Sequence, residues 1–334
     1  MNLETHYLGL KLAHPIVASA SPLSREFDGI RRLEDAGAPA IVMPSIYEEE
    51  IVAEDTAYEA LVERGSWSQP EAADGYFPEA PAFRVGGLQA RLETLQRAAG
   101  ACTVPIIASL NGSTPRGWTA FAADLERAGA AAIELNLYRV PADAHESGAE
   151  VERRWVETVQ AVCGAVSIPV SVKLGPWLSS PGHHALEVAA AGAKGLVLFN
   201  RFYQPDIDLA TLAPKPSLEL SSPYEIRQAL LWIALLAGRI DASLAASSGV
   251  SSSDEVVKYL LAGADVVMTA SALLRHGPGH IAALRDGLER WMESRGFEDI
   301  DKLRGRLSAA FLRDREALVR AQYIHILTGF EGQL

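Results

Sequence analysis

Two short apolar runs carry polar residues that could do chemistry: "AAIELNLYRV" at 131–140 and "IPVSVKL" at 168–174. Alternate residues of an extended strand share a face. Glu134 therefore faces with Asn136, and Ser171 with Lys173. Polar side chains on the inner face of a buried strand are costly unless paired or used. A fixed ammonium at Lys173 could stabilise negative charge on a bound cofactor or intermediate. Asn136 and Asn200 could hydrogen-bond a planar heterocycle or close loops, and Asn111 follows a third run of the same kind. Tyr138 and Arg139 come next. A phenol at 138 could protonate a carbon beside one receiving hydride, or pack beneath its loop. Arg139 could bind a substrate anion, or pair with Asp143 or Glu146. His145 lies in the same loop and could titrate near neutrality.

A second group of candidates suits an anion. "SSGVSSSDEV" at 247–256 and "TASALL" at 269–274 offer small residues, backbone N–H groups and a helix N-terminus. Ser248, Gly249, Ala270 and Ser271 are the phosphate candidates.

A half-hidden repeat positions these residues. "AGAPAIVMPS" (36–45), "AGAAAIELN" (128–136), "AGAKGLVLFN" (191–200) and "AGADVVMTAS" (262–271) each join a helix-ending Ala-Gly to a buried strand. They alternate with "HPIVASA" (14–20), "VPIIASL" (104–110) and "IPVSVKL" (168–174), where proline opens the strand. "DASLAASSGV" (241–250) fills the fourth slot without a proline. Amphipathic stretches such as "FDGIRRLEDAG" and "WTAFAADLERAG" lie between, and Ser222 with Glu225 and Ser252 with Glu255 form capping boxes. Eight strand-then-helix units predict an α/β (β/α)8 TIM barrel. A doubly wound sheet would need a Gly-rich turn after the first strand, and "VASASPLSREF" has none. The barrel spans 1–296, with an excursion after strand 2 between Tyr47 and Val85 and a helical extension over 297–334. All the polar candidates fall at the strands' C-terminal ends, where such barrels place their active sites.

Composition narrows the partners. The chain of 334 residues is 49% hydrophobic and 22% charged, with a formal net charge of −12. That balance argues against nucleic acid. No signal peptide or membrane span is expected, and "ALLWIALLAG" at 229–238 is better read as a buried helix. Two cysteines, Cys102 and Cys163, exclude a four-cysteine cluster and make a disulfide framework unexpected. A cytoplasmic protein without a metal site is the expectation.

"ELNL", then "VKLGP", the Asn-ended strand "LVLFN" and "SSGVSSSDEVVKYLLAGADVVMTASALLRHGP" together resemble the FMN-dependent dihydroorotate dehydrogenases over residues 1–296. Within them the chain looks most like the bacterial dihydroorotate dehydrogenase-like proteins, which share "LVLFNRFYQPDIDL" and the extension. The resemblance implies FMN in the barrel, its phosphate at Gly249, Ala270 and Ser271, and Lys173 near flavin N1. It implies Asn136 and Asn200 beside flavin and substrate, and Ala18 and Ser19 with their backbone against the ring. It also implies a homodimer, a small-molecule substrate and a soluble electron acceptor such as fumarate. Three family positions differ. The Cys or Ser base of "NLSCPN" is Arg139, its second asparagine is Pro141, and the lysine after strand 2 is Pro44. Arginine cannot serve as this base. The alternatives are a reductase of another unsaturated substrate, with Tyr138 as acid and Arg139 as anion anchor, and a flavin-binding protein without dihydroorotate activity.

Overall fold

The alternating runs form the parallel strands of a closed barrel in a computed structural model that describes residues 1–48, 87–111, 115–201, 205–215, 219–310 and 315–329. Most of the excursion after strand 2 lies outside the described residues. The barrel strands are β3 (Ile16–Ala18), β4 (Ile41–Val42) continued by β5 (Ile46–Tyr47), β6 (Ile106–Asn111), β7 (Ala132–Leu137), β8 (Val170–Leu174), β9 (Gly195–Leu198), β12 (Ser243–Ala246) and β13 (Val266–Thr269). Each pairs in parallel with its neighbours, and β13 against β3 closes the ring. Pro44 has no N–H to donate, so strand 2 breaks after Val42 and resumes at Ile46. That break leaves Ser45 on the rim.

Helices between the strands cover the outside: α1 (Phe27–Asp35), α2 (Gly87–Ala101), α3 (Pro115–Arg127), α4 (Gly148–Ala165), α5 (Pro181–Ala190), α6 (Ile226–Leu236), α7 (Ser253–Ala262), α8 (Ser271–His276) and α9 (His280–Ser294). The Ala-Gly signals end helices as read. Gly263, for example, takes φ 116° just past α7, a left-handed conformation that suits glycine. Both expected capping boxes form, and a third at Ser147 and Glu150 starts α4. The stretch 229–238 is largely α6, buried along one face through Ala229, Ile233 and Leu236 while Leu231 faces out.

Two small hairpins were not visible in the repeat. β1 (Thr5–Tyr7) and β2 (Leu10–Leu12) turn at Leu8 and Gly9, both at positive φ, as a tight hairpin turn requires. Tyr7, Leu8 and Leu12 then pack with Val17, Val42, Ile107, Val197 and Met268, which plugs the barrel floor. The second hairpin, β10 (Asp206–Asp208) with β11 (Ala213–Lys215), follows strand 6. Of the extension, Ile300 and Leu303 are fully buried, and Gly305 and Ala309 donate their amides to Leu260 and Ala234 on α7 and α6. The helix α10 (Arg315–Thr328) completes the described chain.

Two buried histidines give the fold a predictable acid sensitivity. His14 accepts from the Ile16 amide through Nδ1 at 3.2 Å and donates through Nε2 to the Gly37 carbonyl at 2.8 Å, which fits the neutral ring. His184 is fully buried with neither nitrogen hydrogen-bonded. Burial pushes both below the ordinary imidazole range. The unfolded chain therefore binds more protons as pH falls below about 6.5. This part of the stability is complete above that pH and is lost as pH drops through the folded values. The thermal midpoint is expected to fall on acidification from pH 7.5 to 5. His184→Leu, which removes the buried ring beside Glu187, should shallow that dependence. An equally steep curve in the variant would rule His184 out as a cause.

Candidate functional site

The register across β7 and β8 sets Asn136 opposite Lys173 and Glu134 opposite Ser171. By the strand period, the first pair stands at the carboxyl-side rim and the second one layer deeper. Lys173 is 8% exposed and Glu134 1%. The ammonium Nζ lies 3.8 Å from Glu134 Oε1, and neither carboxylate oxygen has a hydrogen-bond partner. Burial pushes the Glu134 carboxyl up, and the neighbouring ammonium opposes that shift.

Asparagines and serines tie the rim together. Asn136 donates its amide to Ser45 Oγ at 3.2 Å, and Ser45 shares a 2.8 Å hydrogen bond with Ser109. Asn200 donates to the Asn136 side-chain carbonyl. Asn111 instead donates to the backbone carbonyls of Asn136, at 3.0 Å, and Tyr138, at 3.5 Å, so it braces the loop after β7.

The other side of the rim is an open cleft. Ser19, Lys173, Asn200, Ser248, Gly249, Ala270 and Ser271 all line it, so most of the sequence candidates meet in one place. Ala18 lies fully buried one residue before Ser19, whose amide bonds the Thr269 carbonyl at 3.0 Å. Ser248 and Gly249 take consecutive positive φ values of 76° and 73°. A Cβ on Gly249 would stand 2.7 Å from Ile226 Cγ2 and 2.8 Å from the Ser222 carbonyl oxygen. The Gly249 amide donates to Ser221 Oγ at 3.2 Å, and the Ser221 hydroxyl donates to Ser271 Oγ at 2.9 Å. Arg275 clamps this loop by donating to the Ser221 and Leu220 carbonyls, each at 2.8 Å. The α7 N-terminus is capped by its own side chains. Its Ser251 and Ser252 amides are taken by Glu255, and its Asp254 amide by Ser252. The Gly249 turn and the Ser221–Ser271 hydroxyls lie together on the cleft wall.

Tyr138 and Arg139 do not line this cleft. The Tyr138 ring packs on Trp177 with centroids 5.2 Å apart. Arg139 has a half-exposed side chain and stands 3.7 Å from Glu146, which also pairs with Arg154. Of the two expected acidic partners, Glu146 is the one reached.

Comparison with known proteins follows the same outline. The family model for dihydroorotate dehydrogenase matches residues 83–292. The chain belongs to the dihydroorotate dehydrogenase family. A protein of Aeropyrum pernix assigned as dihydroorotate dehydrogenase A (fumarate) is 28% identical over 317 residues, covering 91% of this chain and 96% of its own. The catalytic subunit of dihydroorotate dehydrogenase B (NAD(+)) from Methanothermobacter thermautotrophicus is 25% identical over 313 residues, covering 91% and 97%. The corresponding subunit from Methanocella arvoryzae is 28% identical over 309 residues, covering 91% and 97%. The protein is thus an oxidoreductase of dihydroorotate dehydrogenase type, acting on CH–CH bonds. Among the described residues, no helix is long and apolar enough to cross a membrane.

Within this dihydroorotate dehydrogenase fold, two rim residues escaped the sequence reading. Ser45 follows Pro44 and fills the end of strand 2 with a hydroxyl. Ser221 reaches the niche beside Gly249 from a loop distant from it in sequence. The capping box at Ser222 is the signal that could have pointed to it.

Proposed function

We propose that the rim cleft binds FMN, with its phosphate at Gly249, Ser221, Ala270 and Ser271 and its ring toward Lys173. The observation that carries this reading is the Ser248–Gly249 turn. It leaves no room for a Cβ and opens beside two convergent hydroxyls and a buried ammonium. That donor set suits a phosphorylated flavin. When bound, FMN supplies a two-electron acceptor for hydride. Lys173 holds positive charge where the ring gains negative charge. Asn136 and Asn200 present amides to the ring edge and substrate, and the backbone at Ala18 and Ser19 supports the ring.

The substrate side of the site is read from the loop after β7. Arg139 occupies the position of the family's proton-accepting Cys or Ser, and it is ion-paired with Glu146. The missing base favours a second reading, a reductase of another unsaturated substrate. There Arg139 would exchange Glu146 for a substrate anion and Tyr138 would leave Trp177 to hold the proton delivered to carbon, since neither lines the cleft as it stands. A soluble acceptor of the fumarate kind and a cytoplasmic setting fit both readings, as does a homodimer.

The test is anaerobic reduction. The purified protein is expected to be yellow and to bleach slowly with dihydroorotate. General base catalysis contributes typically ~10²–10⁴-fold. Arg139→Cys should therefore raise the bleaching rate within that range if only the base is missing. Fast bleaching of the natural protein would overturn the missing-base account. A colourless protein that refuses added FMN would overturn the flavin reading.

A further inference from the structure

Glu134 is a costly residue that the chemistry above does not use. It is 1% exposed, and both carboxylate oxygens lack a hydrogen-bond donor. A buried carboxylate in that state is maintained only by a compensating charge. Lys173 is the cation it meets, at 3.8 Å, roughly 1 Å beyond a charge-assisted hydrogen bond. Beneath them, the fully buried Tyr7 closes the floor, its hydroxyl beside that of Ser171 without a standard hydrogen bond. The ammonium therefore stands between two demands: the carboxylate below it and, on the FMN reading, the ring above it.

We propose that Glu134 acts through Lys173, as a positioning residue that holds the ammonium under the rim and divides its charge between the barrel interior and the bound ring. This rests on the FMN reading and deepens it. Negative charge at Glu134 offsets part of the stabilisation that Lys173 gives the anionic reduced ring. It thus keeps the bound flavin a weaker oxidant than an unshared lysine would.

The experiment measures the flavin midpoint potential of the holoprotein and of Glu134→Gln, which keeps the shape and removes the charge. The variant is expected to favour the reduced form about tenfold more, a rise of ~30 mV for a two-electron couple. Lys173→Met should cancel that gain when combined with Glu134→Gln. Tyr7→Phe, which keeps the floor closed, should leave the potential unchanged. Should Glu134→Gln fail to fold, Glu134→Asp draws the charge back by one carbon and is expected to give a smaller rise. An unchanged or lowered potential in the foldable variant, or a gain that persists without Lys173, overturns the proposal. If the natural protein takes up no FMN, the function reading falls and this proposal with it. If FMN binds and the potential does not move, only this proposal falls.

Discussion

Gly249→Ala is expected to weaken FMN binding by at least ~100-fold while leaving the barrel folded. Two costs act at this position. An L-residue in the left-handed region costs roughly 1–2 kcal/mol, and Gly249 sits at φ 73°. The new methyl would also meet Ile226 Cγ2 at 2.7 Å and the Ser222 carbonyl at 2.8 Å, a separation that real Cβ atoms do not adopt. The turn can relieve both only by rotating its peptides. That turns the Gly249 amide away from the niche it shares with Ser221 and Ser271. Each ~1.4 kcal/mol is tenfold in affinity, so two costs of this size give the expected loss. A titration of apoprotein by flavin fluorescence reads it directly. Full-strength binding by the variant would mean that the anion is held elsewhere.

Lys173→Met should have the largest effect on reduction, and its stability effect separates two roles of the same ammonium. Removing one preorganised electrostatic group at a developing charge typically costs ~10²–10³ in rate, and flavin reduction is expected to slow by that order. The same change leaves Glu134 buried without its cation. Breaking a buried pair on one side costs about 3–5 kcal/mol, and chemical denaturation should show a loss approaching that range. Adding Glu134→Gln to Lys173→Met should recover most of the stability and none of the rate. Recovery of both would mean that Lys173 only satisfies Glu134 and has no part in the chemistry.

The barrel was legible because its signals are local. The Ala-Gly helix stops and the proline-led strands recur along the chain, and each marks one strand of the closed sheet. Lys173, Asn200, Gly249 and Ser271 were readable for the same reason, as odd residue types at strand ends that a barrel brings to one rim. What the sequence hid depends on contacts between distant segments. Ser45 matters only because Pro44 interrupts strand 2 and turns a hydroxyl toward Asn136. Ser221 matters only because Arg275 holds its loop against Gly249. Glu134 looked like a rim residue beside Asn136, yet the two-residue step puts it a layer deeper, against Lys173 rather than a ligand. At the α7 N-terminus the expected anion would compete with a local partner. The capping box that marks the helix start also takes the Ser252 and Asp254 amides.

Comparing FMN with riboflavin in one binding titration tests the central claim most directly. The two share the ring and differ by the phosphate, so a cradle built from the Gly249 turn and the Ser221–Ser271 hydroxyls must tell them apart. One FMN per chain is expected, bound at least ~100-fold more tightly than riboflavin, about 2.8 kcal/mol at ~1.4 kcal/mol per decade. Equal affinity for both, or no uptake of either, would contradict a phosphate-anchored flavin at this rim.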